Sequence, residues 1–320
     1  MTETCRPVVC VLDDIHPAAL ARIAETADLR LPADSANWRE VAEGVIVRGT
    51  PVTEADLKAA RRLKVVGKHG TGIDNIDAAA AAREGIQVRH TPGANAPSVA
   101  DLAVGMALSL IRNLHRHTEA LRAGTRLKGA ARSGFELGEL TCGIVGVGAV
   151  GKLTAHRLVH GFGARVVGYD PHLAADQWPE GVTPVTSLDA LTDVADIVFL
   201  HMPLTDETRG MFGRAQLARM KPGAYLVNCA RGFIVDEAAL ADALATGQLA
   251  GAASDVFESE PNYESPLLAV EGFIATPHAG AQTEASLKRV GIAIADKVLN
   301  CLTVPAESRA AEETAKEGTQ

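Results

Sequence analysis

Short apolar runs alternate with stretches of helical spacing along most of this chain, and the alternation predicts a parallel α/β fold. In the first third, residues 7–12, 28–31, 44–47, 65–68 and 86–89 have the length and composition of strands. Residues 17–26 and 76–84 between them read as helices, and Thr53-Glu54-Ala55-Asp56 has the form of a capping box ahead of a helix through Arg61. Residues 98–123 carry Val99, Leu102, Ala103, Met106 and Leu110 at helical spacing. A continuous helix of that length spans about 35 Å, which suits a bridge between domains or subunits, with His115 and His117 as surface or interface residues.

The alternation then resumes. Strands are expected at 140–145, 164–169, 195–200, 224–228, 250–254 and 273–275, and helices at 152–160, 213–220 and 237–246. A last helix over 283–302 aligns Leu287, Val290, Ile294 and Val298 on one face, and the polar, alanine-rich remainder reads as a mobile tail. In open α/β sheets ligands sit at the carboxyl ends of the strands, so the residues there are the candidates for chemistry.

A chain of 320 residues suggests about two domains. With 47% apolar and 22% charged residues it can bury sizeable cores. The net charge of −8 argues against nucleic acid and anionic membrane as partners, which leaves small molecules and other subunits. Cysteines at 5, 10, 142, 229 and 301 show neither a disulfide framework nor a C-x-x-C metal spacing, in keeping with a reducing cytoplasm and no bound metal. No apolar stretch approaches the roughly 18 residues of a membrane span, and the N-terminus, with Glu3, does not look like a signal peptide.

The strand at 140–145 runs into Gly146-Val147-Gly148-Ala149-Val150-Gly151, which fits G-x-G-x-x-G. Gly146 allows the tight turn, Gly148 lets backbone approach a pyrophosphate, and Gly151 lets the helix pack on its strand. Asp170 ends the next strand, 19 residues after Gly151. A carboxylate there accepts from ribose hydroxyls and repels a 2′-phosphate, so NAD is favoured over NADP. A second glycine-rich loop, Gly70-Thr71-Gly72, follows the strand at 65–68 and reads either as a backbone nest for an anion or as a flexible connection. Three further strand ends deliver Arg231, Glu260 and His278. That trio suits hydride transfer to a 2-oxo acid. Histidine moves the proton, a carboxylate fixes its tautomer, and arginine holds the substrate carboxylate.

These motifs together resemble the D-isomer-specific 2-hydroxyacid dehydrogenases, the family of phosphoglycerate dehydrogenase, glyoxylate and hydroxypyruvate reductases, and D-lactate dehydrogenase. The resemblance runs from about Val45 to His278 and rests on the Gly70 to Asp77 stretch, Thr91-Pro92-Gly93-Ala94-Asn95, the Gly146 fingerprint, His201-Met202-Pro203-Leu204-Thr205, Asn228-Cys229-Ala230-Arg231-Gly232, Asp255-Val256-Phe257 with Glu260-Pro261, and Thr276-Pro277-His278. It implies a Rossmann-type doubly wound parallel sheet (99–283) inserted in a flavodoxin-like parallel α/β substrate domain (1–98 and 284–320), and homodimers formed through the cofactor domain.

The resemblance also implies roles for single residues. Arg231, Glu260 and His278 are the catalytic trio. NAD is bound by Gly146, Gly148, Ala149, Val150, Gly151, Asp170, His201, Thr205, Cys229, Ala230, Asp255 and His278, with Asp255 on the nicotinamide carboxamide. The substrate is held by Gly70, Thr71, Gly72, Asn95, Arg231 and His278. Arg48 and Lys68 match basic residues that lie near a distal phosphate in phosphoglycerate dehydrogenases, although each reads equally as a solvated strand-end charge. His90 departs from the Asn that many relatives place there. The chain ends without the regulatory extension of longer phosphoglycerate dehydrogenases, so serine feedback is not expected. The competing readings are a small-substrate glyoxylate or hydroxypyruvate reductase and a non-enzymatic NAD-sensing corepressor. A formate dehydrogenase fits less well, since that branch resembles Gln rather than Glu at position 260.

Overall fold

The computed structural model describes residues 6–261 and 263–303. The expected tail, Cys5 and Glu3 lie outside the described residues. The chain divides into two compact units, one running to Asn95 and resuming at Gln282, the other formed by Ala96–Ala281.

The first unit contains β1 (Val8–Val11), α1 (Pro17–Ala24), β2 (Asp28–Arg30), α2 (Trp38–Val41), β3 (Gly44–Val47), α3 (Glu54–Ala59), β4 (Val65–Lys68), α4 (Ala78–Arg83) and β5 (Gln87–Arg89). All neighbours pair in parallel in the order β2-β1-β3-β4-β5, the flavodoxin-like order. Parallel strands covered on both faces must be apolar throughout, and β3 is buried at all four residues. Side chains that alternate along the strands feed two cores. Cys10, Val45, Val47 and Val66 meet Leu57 and Ala80 on one face. Val9, Val11, Ile46 and Val65 meet Ile23, Ile294 and Val298 on the other. The Thr53 capping box forms as expected, with the Thr53 hydroxyl accepting from the Asp56 amide and the Asp56 carboxylate accepting from the Thr53 amide.

The second unit contains α5 (Ala96–Ile111), α6 (Leu114–Arg122), β6 (Thr141–Val145), α7 (Ala149–His156), β7 (Arg165–Tyr169), β8 (Val182–Pro184), α8 (Leu188–Thr192), β9 (Ile197–Leu200), α9 (Arg214–Arg219), β10 (Ala224–Asn228), α10 (Glu237–Ala245), β11 (Leu249–Ser254) and β12 (Phe273–Ala275). The final helix, α11 (Glu284–Thr303), returns to the first unit. The sheet order β12-β11-β10-β9-β6-β7-β8 is the doubly wound arrangement, and it reverses between β6 and β9. The carboxyl ends of β6, β9, β10, β11 and β12 therefore lie side by side, and they carry every second-unit site residue named above except Asp170, which ends β7.

Three sequence expectations change. The single helix over 98–123 is two helices, because Asn113 adopts a left-handed conformation between α5 and α6. The Phe135 amide donates to the Ile111 carbonyl and the Asn113 side chain donates to the Ser133 carbonyl, so a distant loop caps the end of α5. The helix expected from Lys152 begins at Ala149, which places Val150 and Gly151 in its first turn. The short edge strand β8 and the helices α2 and α8 carried too few residues to register as patterns. Pro184 in β8 is tolerated because the strand lies at the sheet edge.

Candidate active site

Gly146 follows β6 directly and adopts a positive φ of 87°, in the turn where a Cβ would lie 2.7 Å from the Met202 amide nitrogen. At Gly151 a Cβ would fall 2.2 Å from the Gly146 carbonyl oxygen, so helix and turn pack backbone to backbone. Gly148 caps α7, and a Cβ there would meet nothing within 4 Å, which leaves open space over the helix N-terminus. That is the cradle a pyrophosphate needs, with the amides of Ala149, Val150 and Gly151 in the first turn. The Asp170 carboxylate accepts from the Val147 amide at 2.9 Å and the His172 amide at 3.0 Å, which ties the acid to the glycine turn. His201, after β9, is neutral: burial lowers its imidazole pKa to about 3, and one ring nitrogen meets the Thr154 hydroxyl of α7 at 3.1 Å. Its Nδ1 is buried with no partner among the described residues, an orphaned polar atom beside a nucleotide cradle. The residues present fit a dinucleotide.

Thr205 is exposed and forms a tight turn with Thr208, whose hydroxyl accepts from the Thr205 amide at 2.8 Å. The Cys229 thiol points to Met106, and burial pushes its pKa up, so it packs as a neutral apolar group. The turn after β10 is stapled by Asn228, a residue that sequence reasoning passed over. Its Oδ1 accepts from the Ala230 amide at 3.0 Å and its Nδ2 donates to the Arg231 carbonyl at 3.1 Å, so Arg231 leaves the strand in a fixed direction. The signal was an Asn ending a strand three residues before the Arg.

The trio comes together at the ends of β10, β11 and β12. His278 Nδ1 lies 2.7 Å from Glu260 Oε2, and Glu260 Oε1 accepts from the Phe257 amide at 2.8 Å. Burial alone would raise the Glu260 carboxyl, but these hydrogen bonds and the charges of His278 and Arg231 outweigh it and hold the group below the usual carboxylate range. With Nδ1 engaged, Nε2 is the ring nitrogen left for a substrate, and the side chain is 48% exposed. His278 sits at φ 52°, uncommon for a non-glycine residue. The loop is held there by Asp255, 2% exposed, whose carboxylate accepts from Thr276 Oγ1 at 2.5 Å and from the amides of Ala279 and Gly280 at 2.6 and 2.8 Å. Burial pushes the Asp255 carboxyl up against those three donors.

In the first unit, the N–H groups of Gly70, Thr71 and Gly72 meet no acceptor among the described residues. The loop itself is pinned. The Thr91 amide and hydroxyl both donate to the Gly70 carbonyl, His90 Nδ1 donates to the Thr71 carbonyl at 2.7 Å, and the Thr71 hydroxyl donates to Asn95 Oδ1 at 3.0 Å. Such a loop has the free N–H donors that a backbone anion nest requires. The Lys68 ammonium donates to the Arg48 carbonyl and, at 2.6 Å, to Asn75 Oδ1.

Residues 104–280 match the model of the D-isomer specific 2-hydroxyacid dehydrogenase NAD binding domain. The chain belongs to this family. It is 38% identical over 306 residues to the D-3-phosphoglycerate dehydrogenase of Methanocaldococcus jannaschii, covering 92% of this chain and 57% of that protein. It is 39% identical over 265 residues to the hydroxypyruvate reductase of Thermotoga maritima, covering 81% and 84%. A crystal structure of D-lactate dehydrogenase from Aquifex aeolicus, complexed with NAD and lactic acid, superposes with a TM-score of 0.81 at 28% identity, covering 92% of this chain and 95% of that one. The chain spans a little over half the length of the phosphoglycerate dehydrogenases it matches. The nucleotide site is that of an NAD-binding domain.

Proposed function

We propose that this protein is an NAD-dependent dehydrogenase that interconverts a D-2-hydroxy acid and its 2-oxo acid, with a substrate that carries a second anionic group. The observation that supports it most is the 2.7 Å pairing of His278 with Glu260, set between the ends of strands that also carry Arg231, in an NAD-binding domain. Bound NADH supplies the hydride. In the reductive direction His278 gives the Nε2 proton to the carbonyl oxygen, and ionised Glu260 stabilises the imidazolium before transfer. Arg231 holds the substrate carboxylate and polarises the carbonyl. A complete proton-transfer pair argues against a purely NAD-sensing binding protein, which has no use for one.

The substrate class is supported by the resemblance of Arg48 and by the phosphoglycerate dehydrogenase relatives. A hydroxypyruvate reductase is the second reading, favoured by a relative of which this chain covers 84%. NADH oxidation, followed by absorbance across a panel of 2-oxo acids with and without a second anion, tests both. No turnover of any of them would overturn the dehydrogenase reading. The same reading carries a homodimer formed through the second unit, where Leu114, Leu121 and Phe135 are exposed at 53%, 70% and 48%. Sedimentation as a monomer at micromolar concentration would overturn that assembly. Cys10, Cys142 and Cys229 are thiols rather than half-cystines, which suits the cytoplasm.

A further inference from the structure

Glu237 is a buried carboxylate that the catalytic trio does not include. It is 6% exposed at the first position of α10, and no arginine, lysine or histidine pairs with it among the described residues. Capping of α10 does not require it, because Asp236 already accepts from the Ala239 amide at 2.9 Å. Glu237 Oε1 accepts instead from the Glu258 amide at 2.7 Å, in the loop that leaves β11. The return bond, from the Glu237 amide to Glu258 Oε1, is long at 3.4 Å, so the buried carboxylate carries the contact. A carboxylate buried without a cation persists where the group it binds must be held.

The amide it holds is the next along the chain from the one that anchors Glu260. The Phe257 amide donates to Glu260 Oε1 at 2.8 Å, and the Glu258 amide to Glu237. Two consecutive amides are each taken by a carboxylate, one inside the trio and one outside it. The peptide between Phe257 and Glu258 also meets the backbone of Gly232, where a Cβ would collide with the Phe257 carbonyl carbon and the Glu258 amide nitrogen. Gly232 follows Arg231, so the turn that carries Arg231 and the loop that carries Glu260 touch at this peptide. Pinning it fixes how Glu260 faces His278, whose Nδ1 lies 2.7 Å from Glu260 Oε2.

We propose that Glu237 is a positioning residue for the proton-transfer pair: by holding the Glu258 amide it sets the loop from which Glu260 reaches His278. Where it concerns turnover, this rests on the dehydrogenase reading above. Within the second unit His278 is faced by Glu260 and Asp255, Glu260 by Arg231 and Tyr263, and Glu237 by Glu258 and Asp236. Burial, together with the charges of Glu237 and Asp236, pushes the Glu258 carboxyl up. The charge of Glu237 is thus unfavourable to its neighbour, and its reach to the amide is what serves the loop.

Three substitutions separate reach from charge. Glu237→Gln keeps an oxygen at the same reach and loses the charge, Glu237→Asp keeps the charge and withdraws it by a methylene, and Glu237→Ala removes both. The His278 ring is followed by NMR titration of the full chain. In parallel, kcat/KM is followed from pH 5 to 9 with NADH and the 2-oxo acid that the wild type reduces fastest. Glu237→Ala and Glu237→Asp move the titration and the matching limb toward acid by about one pH unit, because the imidazolium loses part of its partner. Each lowers kcat/KM about tenfold, the worth of one hydrogen bond to a charged group. Glu237→Gln stays close to wild type in both. With Glu260→Gln already in place, Glu237→Ala adds no further displacement, since the partner it positions has lost its charge.

Glu237→Asp at wild type with Glu237→Gln displaced makes the effect one of charge and overturns the proposal. So does a Glu237→Ala protein that melts earlier while its His278 titration stays in place, which is a structural role alone. The Asp and Gln variants decide the matter if Glu237→Ala does not fold. A displaced titration in a protein that reduces no 2-oxo acid keeps the positioning role and removes the dehydrogenase reading. An unmoved titration in a protein that does reduce one removes the positioning role and leaves that reading standing.

Discussion

At the scale of single residues, the site depends on His278 occupying a left-handed conformation that most histidines avoid. The Asp255 carboxylate and the bond from the His278 amide to the Asp255 carbonyl hold it there. His278→Ala is expected to lower kcat by about 10²–10⁴, the usual worth of a positioned acid/base, with NADH affinity by fluorescence titration little changed. Wild-type turnover in that variant removes His278 from the mechanism. Glu260→Gln keeps the shape and loses the charge that stabilises protonated imidazole. The limb of the kcat/KM profile that follows this proton then moves toward acid pH, and superimposable profiles from pH 5 to 9 speak against the pairing. Asp170→Ala removes a ribose acceptor and a source of repulsion, so the gap between NADH and NADPH in kcat/KM should narrow. A wild type indifferent to the 2′-phosphate contradicts that role.

At the scale of elements, the break between α5 and α6 shows how far local periodicity reaches. The apolar spacing from Val99 to Leu110 is correct for α5, but nothing in it marks Asn113, where the chain turns because loop 133–135 bonds to the end of the helix. A β-branched residue tolerates φ 51° poorly, so Asn113→Val should cost about 1–2 kcal/mol and lower Tm. Asn113→Gly adopts the left-handed conformation without strain and should cost less. Equal melting temperatures for the two variants count against backbone strain as the reason. The glycine fingerprint, by contrast, was legible in detail, since strand, turn and helix are contiguous, Gly146 and Gly151 answer to close neighbours, and Gly148 leaves open space.

At the scale of the whole molecule, buried histidines set the acid limit of stability. Burial, aided by the Arg48 charge, lowers the pKa of His69 in the first unit to about 4, and burial lowers that of His201 in the second to about 3. Each folded value lies below the unfolded one, near 6.5. Their stabilising contribution is complete above pH 6.5 and is lost as pH falls from there toward the folded values. The depressed carboxyls of Asp13 and Glu260 behave alike at lower pH: full stability above the ordinary carboxylate range, lost as pH falls through the folded pKa. Tm should therefore decline between pH 6.5 and 4, before the carboxylates titrate. His69→Gln should flatten that decline by about 1–3 kcal/mol in unfolding free energy. An equal slope in wild type and variant means that His69 takes up its proton without unfolding.

The sequence by itself determined the order and kind of nearly every long element, the NAD fingerprint and the three strand ends that carry Arg231, Glu260 and His278. These depend on neighbours along the chain, through hydrophobic period, capping residues and glycine spacing. The tertiary structure alone decided what binds what across distance. It set the bond between His278 and Glu260, the Asp255 clamp under the histidine, the turn at Asn113, and the bond from the Arg48 amide to the Asp13 carboxylate across 35 residues of chain. Lys68 shows the division most clearly. Its charge at a strand end can be read from the sequence, but whether that charge faces a ligand or a carbonyl of its own chain is fixed only when β3 and β4 pair in register.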